Sequence, residues 1–125
     1  MGFELGIILK GKVNRWHGSH KQTLTRGQVW LCNAWEPHGF SVLVAPVDVL
    51  VIIFWPATLA MTGVSDRLDF LHLFKQQPQF RLRVENKEIK KNILILAEKF
   101  ISAEKNDLTE QKRFILGRLI LVELL

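Results

Sequence analysis

Hydrophobic positions follow two different periods along this chain, and the change falls near Pro56. Before it, short apolar runs are separated by Gly, Pro and polar residues. "FELGIILK" ends at Gly11-Lys12, a turn signal. "KVNRW" follows, then the polar "HGSHKQTLTRG", then "QVWLCN". "GFSVLVA" and "VDVLVIIFW" come next, divided by Pro46. β-Branched and aromatic residues fill these runs, so each is expected as a strand. Strands this short and closely spaced predict a β-sandwich or a small barrel.

After Pro56 the apolar spacing becomes helical. In "SDRLDFLHLFKQQ", Leu68, Leu71 and Phe74 share one face, Ser65 or Asp66 supplies a cap, and Pro78 is the stop. "FRLRV" predicts a short strand or an extended link. "KEIKKNILILAEKFISAEK" sets Ile89, Ile93, Leu96, Ala97, Phe100 and Ile101 along one stripe, the mark of an amphipathic helix. Asp107 and Glu110 then resemble a capping box before a last helix, "TEQKRFILGRLILVELL".

That last helix is apolar over most of its circumference. Ile115, Leu119 and Val122 form one stripe, and Leu116, Ile120 and Leu124 form the next. A helix of this kind is either the innermost of its domain or pairs with another chain. A homodimer is expected, with Ile115, Leu116, Leu119, Ile120 and Val122 at the interface. The connection "WPATLAMTG" is too short to separate domains. Residues 1–125 are therefore expected as one domain, with strands over about 1–56 and helices over about 57–125.

With 125 residues, 48% of them hydrophobic, the chain has enough apolar material for one real core. The net charge of +5 is spread out: 5 basic against 3 acidic residues in 1–65, and 12 against 9 in 66–125. A nucleic-acid face shows clustering on one element, and Lys87, Lys90 and Lys91 are the nearest approach to it. The single cysteine, Cys32, lies in an apolar run and reads as a small buried thiol, not as part of a thiolate metal site.

The start "MGFELG" has no basic segment before its apolar stretch, and Gly6 stands where a myristoylation signal needs Ser or Thr. A cytoplasmic location is expected. Residues 42–61 are apolar and long enough to span a membrane, but the run contains Asp48, Pro46 and Pro56. A carboxylate at mid-membrane costs about 2.5 kcal/mol or more. "VDVLVIIFW" therefore reads as a buried strand, and no membrane partner is expected.

Two spacings then carry chemistry. Glu4 is followed by six residues and Gly11, and Gly27 stands eleven positions before His38. Both resemble the two motifs of the cupins, whose fold is a double-stranded β-helix barrel. More narrowly, "GQVWLCNAWEPHGF" and "VDVLVIIFWPATL", followed by paired helices, resemble the N-terminal effector-sensing domain of AraC-family transcription regulators. The resemblance covers nearly the whole chain. It implies a mainly β fold with α: a cupin-like barrel followed by C-terminal helices.

The resemblance also implies that Glu4 and His38 point into the barrel cavity. There they would hydrogen-bond a small polar effector such as a sugar or polyol, with Trp16, Trp30 and Trp35 as aromatic cover. The chain departs from the pattern in two ways. The His-x-His pair that precedes the Glu in metal-binding cupins has no counterpart, and Asn33 and Trp35 replace the second motif's Pro and Gly. His17 and His20 lie three apart on the polar segment without a third ligand. No metal or other cofactor is expected, and no enzyme activity.

The expected function is effector sensing and dimerisation for an AraC-type regulator. DNA contact would come from a helix-turn-helix region outside this chain. The apolar end at "LVELL" is expected of a domain within a longer protein. The alternatives are a stand-alone cupin that binds a small molecule, a metal-dependent enzyme, and an interaction module whose cavity is filled by side chains.

Overall fold

Gly11 does not turn the chain back. The structure, a computed structural model, describes residues 2–57, 70–105 and 110–125, with backbone alone at 104 and 105. In it the first two expected strands are one, β1 (Phe3–His17), and Gly11 bulges it with φ +85°. A Cβ on Gly11 would stand 2.7 Å from the Val44 carbonyl oxygen, too close for any side chain.

The other break in the strand half also runs through. β4 (His38–Phe54) continues past Pro46, which follows a cis peptide bond, and pairs antiparallel with β1 from Phe3↔Phe54 to His17↔His38. The register shifts three times between Ile8 and Val13. Pro46 lies beside this irregular stretch, on a strand that among the described residues pairs on one edge only. Such positions tolerate the missing N–H.

β2 (His20–Leu24) and β3 (Val29–Cys32) share the opposite edge of β1, end to end. β2 pairs Val13–His17 and β3 pairs Glu4–Ile7. The result is one antiparallel sheet of four strands that, among the described residues, stays open and is not closed into a barrel.

Alternation along β1 gives the sheet two unlike faces. Phe3, Leu5 and Ile7 pair with Leu31, Val29, Leu50, Ile52 and Phe54, and all of these are buried. α1 (Phe70–Lys75) packs on this side: the Phe74 ring lies 5.4 Å from Phe3 and 6.2 Å from Phe54. Each large apolar side chain so buried contributes about 1.5–3 kcal/mol. The other face begins with Glu4, Gly6 and Ile8. After the bulges it continues with Val13, Arg15 and His17. Ile8, Val13, Leu24, Trp30 and Cys32 form its apolar centre.

The chain divides into two compact units, Met1–Arg83 and Val84–Leu125. The second is a helical hairpin. α2 (Lys87–Lys105) follows the expected amphipathic segment, with Ile93 and Ala97 fully buried, and packs against α3 (Glu110–Glu123). Asn86 caps α2: its Oδ1 accepts the N–H groups of Glu88 at 2.8 Å and Ile89 at 3.1 Å. In "FRLRV", Phe80 ends a 3₁₀ turn (Pro78–Phe80) and the rest is a link, the second of the two expected forms. The caps expected at Ser65, Asp66 and Asp107 lie outside the described residues.

Residues 42–54 of the apolar run are strand, and no described helix is long and apolar enough to cross a membrane.

Candidate functional site

The polar residues of the second sheet face converge although they come from opposite ends of β1. Glu4 and Cys32 are register partners near the start of β1, and His17 and His38 are register partners at its end. Glu4 is held from two sides. Trp30 Nε1–H donates to its Oε1 at 2.8 Å, and Arg15 Nη2 donates to the same oxygen at 3.1 Å. The Arg15 guanidinium lies 4.0 Å over the Trp30 ring, and that ring covers Gly6, its partner across the ladder. A Cβ at Gly6 would overlap the ring, so glycine is required for Trp30 to lie flat.

The loop between β3 and β4 supplies the rest. Trp35 takes a left-handed backbone, φ +66°, and Glu36 folds back so that Asn33 N–H donates to its Oε2 at 3.3 Å. Arg81 reaches this carboxylate from 45 residues away. Its two terminal nitrogens each donate at 2.6 Å, one to each oxygen, and Nη1 also donates to the Leu31 carbonyl at 2.8 Å. A fork-to-fork pair of this kind fixes the carboxylate in both position and orientation. His38 Nδ1 lies 2.7 Å from the Glu36 carbonyl oxygen and 3.2 Å from Cys32 Sγ.

His17 sits behind this loop, 2% exposed. Glu36 Oε2 lies 3.4 Å from its Nδ1, and among the described residues neither ring nitrogen has a hydrogen bond. Burial, then the positive charge of Arg15, push its pKa down to about 4. Burial, then the Glu36 carboxylate, push the Cys32 thiol up to about 12. Burial alone would raise Glu36. The Arg81 guanidinium outweighs it and holds the carboxyl below its ordinary range.

A cavity of about 140 Å³ opens among these groups. Glu4, Cys32, Asn33, Trp35, Glu36 and His38 line it, with Ile53 on its apolar side. Ile53, Val51, Val49, Val42 and Phe40 of β4 share this sheet face and are exposed beside it. A larger hollow of about 620 Å³ lies between α2 and α3, but its polar members Glu98, Lys99, Ser102 and Lys112 are all exposed.

Three of the five ligand residues expected from the sequence therefore meet at one cavity: Glu4, Trp35 and His38. Trp30 stands behind Glu4 as its hydrogen-bond donor. Trp16 covers Gly39, its partner across the ladder, and does not line the cavity. Sequence reasoning missed Arg15, Glu36 and Arg81, and it gave Cys32 no part in a site. Glu36 stands two residues before His38, a proximity that could have marked it; Arg81 carries no local signal. On α3, Ile115, Leu119 and Val122 are exposed as a stripe, whereas Leu116 and Ile120, assigned to the same interface, are buried within the chain.

Comparison with known protein families and with curated proteins gives no match for this chain.

Proposed function

We propose that the chain is the effector-sensing and dimerisation domain of an AraC-type transcription regulator, with a cupin-like strand half. A small molecule binds on the polar face of the sheet. Binding biases how two copies pair through the exposed stripe of α3, and so modulates a DNA-binding region outside this chain. This is a coupling between two sites and requires two states that the effector binds unequally.

The observation that carries the reading is that Glu4 and His38, the two residues matching the cupin spacings, line one cavity together with Trp35. Carboxylates accept hydrogen bonds and an imidazole both accepts and donates, which suits the hydroxyls of a polyol or sugar. The exposed Trp35 ring and the apolar side chains of β4 supply cover for its carbon face. At about 140 Å³ the cavity admits a small effector, or one polar end of a larger one, since pockets for drug-sized ligands run to about 300–1,000 Å³. Exposure of Ile115, Leu119 and Val122 supports pairing through α3.

Thermal-shift measurement against a panel of sugars, polyols and small carboxylic acids tests the reading. At least one compound is expected to raise the melting temperature of the wild type and to lose that effect in His38→Ala, an exposed position whose change leaves the unliganded melt nearly unaltered. No shift with any compound, or a shift that His38→Ala retains in full, counts against it.

A further inference from the structure

We propose that His17, Cys32 and Glu36 hold a divalent metal ion of the zinc class, with its fourth coordination position open to the cavity beside Glu4 and His38. One potential ligand atom from each of the three residues lies within 4.8 Å of the other two. Tetrahedral zinc, with bonds of about 2.0–2.3 Å, sets its ligand atoms roughly 3.5 Å apart. The His17 Nδ1 to Glu36 Oε2 separation of 3.4 Å already has that value. The remaining closure is a side-chain adjustment within one cluster.

The second observation is independent of spacing. His17 is buried and, among the described residues, has no hydrogen bond at either nitrogen; such orphaned polar groups are uncommon in folded proteins. A metal on one nitrogen removes that cost.

Around the cluster, Glu4 and Glu36 balance Arg15 and Arg81, and His38 faces the sulfur. A dication that displaces the thiol proton adds one net positive charge. The step balances as Cys32 S–H plus M²⁺ giving the metal thiolate plus one proton released to solvent, since a coordinated thiol is deprotonated outright. Arg81 already orients Glu36, and the 3.3 Å contact from Asn33 N–H is the longest of its bonds and the one a cation displaces. His38 Nδ1, 3.2 Å from Cys32 Sγ, is placed to support the thiolate. One sulfur, one nitrogen and one oxygen make a borderline donor set, which favours zinc or cobalt over calcium or magnesium.

This site shares Cys32 and Glu36 with the cavity but does not rest on the regulator reading. Titration of the reduced full chain with cobalt(II) tests it. The expected result is one equivalent bound, with a thiolate-to-cobalt charge-transfer band that zinc displaces. Cys32→Ser should abolish the band, and His17→Gln should weaken cobalt binding at least tenfold. X-ray absorption at the zinc edge of the wild-type chain, which needs no variant to fold, should show one sulfur among nitrogen and oxygen neighbours. Absence of the charge-transfer band, an all-oxygen shell, or unchanged binding in a folded His17→Gln chain overturns the proposal. A thermal response to a polyol without cobalt binding would remove the metal site and leave the regulator reading standing.

Discussion

The two faces of the sheet are built from the same strands and do opposite things. On one, Phe3, Leu5, Ile7, Val29, Leu31, Leu50, Ile52 and Phe54 are buried under a helix whose Phe70 and Phe74 are fully enclosed. On the other, Glu4, Cys32, Glu36 and His38 line a cavity, with Arg15 bonded to Glu4 and His17 clustered with Cys32 and Glu36. The first face can be dry because nothing on it needs water. The second is held by charges that must satisfy one another, and two of its groups, His17 and Cys32, are left in neutral forms by burial. A close-packed face supplies stability with no choice of state, whereas a polar face keeps groups available for a ligand.

The sharpest way to break the contrast is Phe74→Ala. Removing a fully buried ring should cost about 3–5 kcal/mol in urea denaturation, since the cavity left behind cannot fully collapse. Arg81→Met tests the other face. It leaves the Glu36 carboxylate buried without its fork partner, at a cost of about 3 kcal/mol. Adding Glu36→Gln should recover part of that loss, because the uncompensated charge is then gone. A double variant no better than Arg81→Met would mean that the pair acts by packing alone.

Acid gives a smaller and graded effect. Below its ordinary pKa of 6.5, unfolded His17 takes up a proton that the folded imidazole, at about 4, refuses. Stability should therefore fall as pH drops from about 6.5 toward 4, by on the order of 2 kcal/mol. Glu36, held below its usual range, contributes stability above pH 4.5 that is lost as pH falls through its folded value. Melting temperature against pH should show the slope, and His17→Gln should flatten its upper part. Trp30→Phe is the mildest probe. It removes one donor to Glu4 while keeping most of the ring over Gly6, and should cost about 1 kcal/mol.

Much of the frame was legible because it rests on local periodicity. The apolar stripe of α2 runs through one helix, and the β-branched density of residues 47–54 marks a strand. The stop signals misled where one residue type serves two purposes. Gly11 has the same left-handed backbone in a bulge as in a turn, and Pro46 sits at an irregular point on a strand that, among the described residues, pairs on one edge only, instead of ending it.

The candidate site was harder to read because it depends on parity and on distance along the chain. Glu4 and Arg15 are eleven residues apart on β1, an odd number that strict alternation assigns to opposite faces. The register shifts between Ile8 and Val13 bring them, and His17, to the same face. No pattern in the sequence announces those shifts. Glu36 and Arg81 meet only through the folded chain. Glu4 and His38 were singled out only because their spacings resemble a known motif, and the residues around them carry no such spacing.

The proposed function requires that the polar face be where this chain receives its ligand. Backbone amide chemical-shift mapping by NMR, with each compound that shifts the melting temperature, tests it most directly. Such a compound is expected to move the amides of Glu4, Cys32, Asn33, Trp35, Glu36 and His38 and to leave those of Leu5, Ile7 and Ile52 nearly unmoved. Compounds that bind yet move only the amides of α2 and α3, around the larger hollow, would contradict it.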